Sequence, residues 1–203
     1  MHKEILSQDQ HNLVPLLKSF AREYYLAGGT AIGLHIGHRR SIDFDLFKPG
    51  TIHPRRILDK VGQKGFRYIV SVKTGEQLNL IVQHVKLTFL EFPFPVAADC
   101  RMEGIMRLPN LLDLAAMKAY ALGRRSKWKD YVDIYFILRD HYSLPQISTR
   151  ASGIFGQLYS EKMFRAQLSY FKDIDHTEAV DFLVPAPAEP EIIAFLVETA
   201  LDF

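Results

Sequence analysis

Residues 24–47 read YYLAGGTAIGLHIGHRRSIDFDLF, and this segment predicts a strand, a glycine turn, a short helix and a second strand. Residues 24–27 are a short apolar run that two glycines end, which is typical of a buried strand. Residues 30–37 have the apolar spacing of a short helix. Over residues 41–47 apolar side chains alternate with aspartates, as in a strand with one buried face. The segment therefore predicts a glycine turn close to a strand that carries two carboxylates.

The turn at residues 28–30 has the chemistry of a phosphate-binding site. Gly28 and Gly29 let the backbone approach a ligand closely and allow a positive φ. A helix that begins there directs its free N–H groups toward the turn, where they favour an anion. Thr30 adds a hydroxyl that can bond the same phosphate or cap the helix. Two adjacent glycines by themselves, however, are most often an ordinary turn.

Asp43 and Asp45 are the second half of the pattern. Alternation places both carboxylates on one face of the strand, about 7 Å apart. They repel each other unless a cation lies between them, and Mg²⁺ accepts carboxylate oxygens together with nucleotide phosphates. Arg39 and Arg40, just upstream, could hold a phosphate or an acidic partner. An isolated pair of this kind is usually a solvated strand face, so the combination with the glycine turn is what indicates phosphate chemistry.

The remaining sequence divides into a mixed αβ lobe, residues 1–105, and a helical lobe, residues 106–203. In the first lobe helices are predicted at residues 10–23 and 53–64. Further strands are predicted at residues 66–72, 77–83 and 85–92. These three runs form a meander, so the sheet should be at least partly antiparallel. Pro93, Pro95 and the loop after them mark the boundary. In the second lobe helices are predicted at residues 110–122, 127–141, 160–171 and 190–203.

These motifs together resemble a known family. The glycine turn, followed by HRRSIDFDLF at residues 38–47, is similar to the nucleotidyltransferases of the AbiEii/AbiGii toxins, within the polymerase-β-like nucleotidyltransferase superfamily. The segments DLAAMK at 113–118, GR at 123–124 and KDYVDIYF at 129–136 resemble the later motifs of that family. The resemblance covers roughly residues 20–140. It implies an α+β fold in which a nucleotidyltransferase-like mixed sheet with flanking helices is followed by a helical C-terminal lobe.

The resemblance also implies a function. The enzyme would use Mg²⁺ to move a nucleotidyl group from a nucleoside triphosphate (NTP) to an acceptor, in a cleft between the lobes. The implied catalytic residues are Asp43, Asp45, Lys118 and Asp133, of which the first two hold the metal. The implied nucleotide-binding residues are Gly28, Gly29, Thr30, Arg39, Arg40, Arg124 and Asp130. The acceptor could be tRNA or another RNA, and the biological role that of the toxin in a toxin–antitoxin or phage-defence pair with a separate antitoxin protein. Transfer to a small molecule would use the same site.

The helical residues also have structural explanations. Lys118 lies in a mostly apolar helix, where a lysine can extend its charge to the helix edge. Asp130 and Asp133 share a face near a helix N-terminus, where negative charge complements the helix dipole. The functional alternative is that Lys118 neutralises triphosphate charge while one of the aspartates orients it or the acceptor. Arg124 opens a basic run that is more often a solvated face than a nucleic-acid site.

One departure from the superfamily pattern lies in residues 85–91, the strand that should carry a third carboxylate. Thr88 occupies the expected position, and alternation puts Glu91 on the opposite face. A catalytically weak or inactive module of the same fold, which binds a nucleotide or a protein partner, is therefore the alternative hypothesis.

Composition narrows the remaining classes of protein. The formal net charge of +2 argues against a strongly basic nucleic-acid coat. A single cysteine, Cys100, excludes an intrachain disulfide and a cysteine-rich metal site. No apolar run reaches the length of a membrane span, and the N-terminus has no secretory signal pattern. We therefore expect a cytoplasmic protein without a membrane partner.

Overall fold

The computed structural model describes residues 1–102, 104–122 and 124–202, which form two compact units divided after Asn110. The first unit is a mixed αβ structure and the second is helical. Gly123, part of the resemblance above, and Phe203, the end of the last predicted helix, lie outside the described residues.

A five-stranded mixed sheet forms the first unit. Its strands are β1 (Tyr25–Ala27), β2 (Phe44–Lys48), β3 (Ile69–Lys73), β4 (Gln77–Val82) and β5 (Val85–Glu91). They lie in the order β1-β2-β5-β4-β3, with β2 and β5 parallel and the other neighbouring pairs antiparallel. The predicted meander β3-β4-β5 is confirmed. Its last strand, β5, lies beside β2 in the sheet.

The two faces of this sheet differ in polarity. One face is apolar and buried, with Phe44 opposite Leu87 and Leu46 opposite Phe89. Burial of each such side chain contributes about 1.5–3 kcal/mol, so this face fixes which way β2, β4 and β5 are turned. The residues between them, among which is Asp45, lie on the other face.

The predicted helix at residues 10–23 is two helices, α1 (Gln8–Asn12) and α2 (Val14–Phe20). The break occurs at Leu13, because Pro15 lacks the N–H that a continuous helix needs but fits the first turn of a new helix. The next two helices, α3 (Gly28–Ile36) and α4 (Pro54–Gln63), lie where they were predicted.

A small hairpin completes the first unit. It consists of β6 (Cys100–Met102) and β7 (Met106–Leu108), and β7 packs beside β1. The sequence predicted a loop here, because strands of three residues are too short to show a periodic pattern.

The second unit contains five α-helices in its described residues: α5 (Leu111–Leu122), α6 (Trp128–Asp140), α7 (Leu144–Phe155), α8 (Glu161–Leu168) and α9 (Glu189–Leu201). The sequence analysis missed α7, although its start carries a capping box of Ser143 and Gln146 and a proline in the first turn. Across the described chain, no helix has both the length and the apolar character that a membrane crossing needs.

Candidate active site

The glycine turn and the second aspartate are in direct contact. Gly28, the first residue of α3, has a φ of +70°. A Cβ atom on Gly28 would overlap the Oδ2 atom of Asp45 and lie 2.9 Å from its Cγ atom. The strand register agrees, because Ala27 at the end of β1 pairs with Asp45 on β2. Position 28 therefore requires glycine for two reasons: its backbone conformation and the close approach of the carboxylate.

A buried arginine adds positive charge to the same turn. A Cβ atom on Gly29 would lie 2.8 Å from the Nη2 atom of Arg39, a residue that is 3% exposed. Arg39 also donates to the carbonyl oxygen of Arg40 at 2.9 Å, while Arg40 reaches the carbonyl oxygen of Glu4 at 3.4 Å. The guanidinium of Arg39 and the N-terminus of α3 thus both favour an anion at the turn.

Thr30 connects the turn to the residues that lead into β2. Its hydroxyl donates to the carbonyl oxygen of Asp43 and lies 3.3 Å from that of Ser41. Its side chain is 1% exposed. These bonds hold the residues just before β2 against the first turn of α3, and a phosphate contact by Thr30 stays a prediction.

Asp43 forms an ion pair that the sequence analysis did not foresee. Its Oδ2 atom lies 2.8 Å from the Nζ atom of Lys86 on β5. Lys86 and Thr88 are two residues apart and share a face of β5, and Thr88 is the register partner of Asp45. The contact therefore places Asp43 on the same polar face as Asp45. Lys86 was missed because the parallel pairing of β2 with β5 joins segments about forty residues apart, which no local pattern reveals.

The position expected for a third carboxylate is a threonine. Thr88 lies in register between Asp45 on β2 and Asn79 on β4, while Glu91 pairs with Lys48 at the other end of the strand. Among the described residues, no group of three or more acidic, histidine or cysteine side chains is arranged to hold a metal. Mg²⁺ commonly uses one or two carboxylates together with substrate phosphates and water. The donor set of Asp43 and Asp45 therefore fits a Mg²⁺ ion that binds together with a nucleotide.

In the helical unit, three of the predicted site residues form one buried ion cluster. The Nζ atom of Lys118 lies 2.7 Å from Oδ1 of Asp130 and 2.9 Å from Oδ2 of Asp133. Lys118 is 4% exposed and the two aspartates are fully buried. Asp130 also accepts from Nε of Arg125 at 2.8 Å. Burial alone would raise the pKa of Asp130, but the charges of Lys118 and Arg125 outweigh it and lower that pKa.

Basic side chains in the run after α5 already contact other residues of the helical unit. The guanidinium of Arg124 stacks 3.6 Å above the ring of Tyr120 and donates to its carbonyl oxygen. Lys127 and Lys129 both form ion pairs with Glu178. Burial opposes ionisation of Glu178, yet the two lysines lower its pKa to about 2. A nucleotide contact by Arg124 stays a prediction.

The chain is similar to known proteins in sequence. The family model described as nucleotidyl transferase AbiEii toxin, type IV TA system, matches residues 16–186. An uncharacterised protein of Aquifex aeolicus (strain VF5) is 31% identical over 126 residues. That match spans 59% of this chain and 59% of the length of the relative.

Solved structures share the fold. A Helicobacter pylori protein, provisionally assigned as a nucleotidyltransferase, has a TM-score of 0.64 at 20% identity, covering 96% of this chain and 94% of that chain. The nucleotidyltransferase toxin MenT4 of Mycobacterium tuberculosis H37Rv has a TM-score of 0.61 at 14% identity, covering 95% and 81%. At these identities the structural matches show a common fold, and the family model carries the assignment.

Proposed function

Because the chain belongs to the AbiEii family of nucleotidyl transferase toxins, we propose that it transfers a nucleotidyl group from an NTP to an acceptor, with Mg²⁺ held by Asp43 and Asp45. One observation carries this proposal: the carboxylate of Asp45 lies against the turn at Gly28. A metal-binding carboxylate and a helix N-terminus that favours phosphate are thereby adjacent, as transfer from a metal-bound triphosphate requires.

Each residue of this site has a proposed task. The backbone at Gly28 and Gly29 receives the triphosphate at the start of α3, and Arg39 balances part of its charge. Thr30 keeps Asp43 in place through its carbonyl oxygen. Mg²⁺, when bound, neutralises charge that develops on the transferred phosphate and orients the triphosphate.

Lys86 places a positive charge next to Asp43. Its ion pair neutralises Asp43 beside a second carboxylate, which would otherwise be costly in a partly buried position. A nucleotide-bound metal must compete with Lys86 for this carboxylate. Binding of a divalent cation by Asp43 would therefore require the ion pair with Lys86 to break.

The proposal also includes four residues of the helical unit and Arg40 of the αβ unit. Lys118 and Asp133 are proposed to complete the catalytic set, with Arg124, Asp130 and Arg40 as nucleotide contacts. What supports the first pair is the ion cluster, which holds both side chains rigidly on α5 and α6. Rigid placement of charge is what electrostatic catalysis requires.

For the biological role we propose a cytoplasmic toxin that modifies tRNA or another RNA and is controlled by a separate antitoxin protein. The description of the family as a toxin of a type IV TA system supports the pairing with an antitoxin. The second candidate, a module that binds a nucleotide or a protein partner without transfer, is favoured by Thr88 in the place of a third carboxylate.

A labelled-NTP transfer assay on total bacterial RNA tests the proposal. We expect Mg²⁺-dependent incorporation by the wild-type chain and a loss of at least about 100-fold in Asp45→Asn, since this removes a proposed ligand of the metal that neutralises the developing charge. Asp59→Asn, an exposed aspartate on α4, is the matched control and should retain activity. Transfer by Asp45→Asn at the wild-type rate would contradict the proposed mechanism. NTP binding without transfer to RNA, protein or a small molecule would favour the binding module.

A further inference from the structure

The edge strand β3 buries none of its side chains. All five of its residues are exposed, whereas each of the other four strands of the sheet has at least two buried residues. Ile69 is 67% exposed and Val70 is 40% exposed, and Tyr68, just before the strand, is 38% exposed. A strand is normally stabilised by side chains that are buried on at least one face. β3 therefore presents an apolar surface that the described part of the chain leaves uncovered.

Apolar side chains lie on both faces of β3. Ile69 is opposite Ile81 of β4, which is itself 39% exposed, so the two side chains form one apolar patch. Val70 is opposite the buried Leu80, so it lies on the core face of the sheet, beyond the residues that the core covers. Exposed apolar patches that are contiguous in this way are typical of interaction sites.

The outer edge of β3 also offers backbone hydrogen bonds. The sheet order places β4 on one side of β3 and, among the described residues, no strand on the other side. A terminal strand has a row of N–H and C=O groups that point away from the sheet. An added strand can pair with these groups, and its side chains then contact both faces of β3. This edge is therefore suited to an extended segment.

The charge around β3 indicates the chemistry of that segment. Residues 60–90, which include β3, β4 and most of β5, contain five lysines or arginines and one acidic residue, a net charge of +4. The whole chain has a net charge of only +2. Arg67 precedes β3 and Lys73 ends it, and both side chains are exposed. An acidic segment would complement these charges.

Two other occupants match the edge less well. Antiparallel pairing with a second copy of β3 about Val70 would place Arg67 of one copy opposite Lys73 of the other, where like charges repel. The bulge between Val70 and Val72 and the lysine at the end of the strand also discourage pairing of identical edges. RNA is a poorer match because the exposed apolar side chains are mostly aliphatic, whereas bases stack on aromatic rings.

We propose that β3 is the docking site for an acidic, extended segment of a partner protein, which pairs with it as a sixth strand of the sheet. The segment has apolar residues at its centre and acidic residues toward both ends, where Arg67 and Lys73 lie. Docking at β3 is separate from the proposed nucleotidyl transfer and does not require it.

Fluorescence anisotropy with a defined peptide tests the proposal on the full chain. The probe is a fluorescein-labelled peptide of about ten residues, with alternating valine and threonine at its centre and two glutamates at each end. We expect this peptide to bind the wild-type chain. N-methylation of its central residues should weaken binding at least about tenfold, because the peptide keeps its side chains and charge but cannot donate to a sheet edge. Lysines in place of the glutamates should weaken binding to a similar extent.

Variants of the apolar patch locate the binding site. Ile69→Thr combined with Val72→Thr removes exposed apolar surface but keeps β-branched side chains, which suit a strand. This double variant should bind the acidic peptide at least about fivefold more weakly, through the loss of two cross-strand contacts. The control is Leu158→Gln combined with Met163→Gln, at positions 61% and 63% exposed in the helical unit. It should bind the peptide like the wild type.

A second pair of variants tests the charges. Arg67→Gln combined with Lys73→Gln should weaken binding of the acidic peptide at least about fivefold at low salt, since both ends of the peptide lose their complementary charge. Arg55→Gln combined with Arg56→Gln, at exposed positions on α4, removes equal charge from the same unit and should leave the affinity unchanged.

Several outcomes would overturn the proposal. These are no binding of the acidic peptide by the wild type, equal binding of its N-methylated form, or wild-type affinity in the Ile69→Thr, Val72→Thr variant. The N-methylated peptide decides the matter even if a variant fails to fold, because it is tested on the wild-type chain. Sedimentation should show a wild-type monomer, and a dimer that the double variant dissociates would assign the edge to a second copy. Loss of single-stranded RNA binding in that variant, with peptide binding intact, would assign the edge to RNA.

Discussion

The glycine-turn site of the αβ unit and the ion cluster of the helical unit are both rich in charge, but they hold it in opposite ways. At the turn, Asp43 is partly exposed and paired with the partly exposed end of Lys86, and the N–H groups at the start of α3 point toward the same turn. In the cluster, Lys118 is 4% exposed and contacts two fully buried aspartates. The first arrangement is suited to exchange partners for a ligand. The second is closed on itself and suited to hold helices in place.

The largest effect should come from breaking the buried cluster. Lys118→Met leaves two buried carboxylates beside each other with less positive charge, so we expect the free energy of unfolding to fall by about 3–5 kcal/mol. Urea denaturation measures this. Lys162→Met, an exposed lysine on α8, should change it by less than about 0.5 kcal/mol. Because Lys118 is also proposed to be catalytic, transfer should be lost as well, but unchanged stability in Lys118→Met would show that the cluster does not hold the helices together.

The next effect concerns the turn. Gly28→Ala introduces a Cβ atom into the space of the Asp45 carboxylate at a positive φ, so we expect about 1–3 kcal/mol of destabilisation and loss of transfer. Gly75→Ala is the control, because no atom lies within 4 Å of a Cβ built there. Equal unfolding free energies and equal transfer activities of the two alanine variants would contradict this prediction.

A smaller effect is expected from Lys86→Met. Removal of the competing cation should lower the Mg²⁺ concentration for half-maximal transfer by up to about fivefold, the range of a partly exposed ion pair. Lys73→Met, an exposed lysine on β3, should not change it. A higher Mg²⁺ requirement in Lys86→Met would mean that the lysine assists metal binding instead of opposing it.

The smallest effect is a pH dependence in the helical unit. The pKa of Glu178 is lowered from 4.5 to about 2, so its stabilising contribution is complete above pH 4.5 and is lost as the pH falls toward 2. Glu178→Gln should therefore show a shallower loss of unfolding free energy between pH 5 and pH 3, followed by circular dichroism. Parallel curves for the two proteins would show that Lys127 and Lys129 do not stabilise the ionised form.

Local patterns predicted the parts of the site that are near each other in sequence. The glycine turn and the alternation around Asp43 and Asp45 were visible because strands and turns have short periods, and the resemblance to the family is confirmed by the family model. The α+β fold class is likewise confirmed by the mixed sheet.

Contacts made by distant segments could not be predicted. Lys86 reaches Asp43 only because β5 pairs with β2, and Lys118 turned out to bind two aspartates of the following helix. In each case long-range packing, rather than local preference, decides which charges meet.

The central claim is that the glycine turn and the aspartates form one metal–nucleotide site, and calorimetry tests it most directly. A non-hydrolysable NTP is titrated into the wild-type chain and into Asp45→Asn, each with and without Mg²⁺. We predict Mg²⁺-dependent binding to the wild type that Asp45→Asn loses by at least about tenfold, while Asp59→Asn binds normally. Equal affinity of the wild type and Asp45→Asn in the presence of Mg²⁺ would contradict the account.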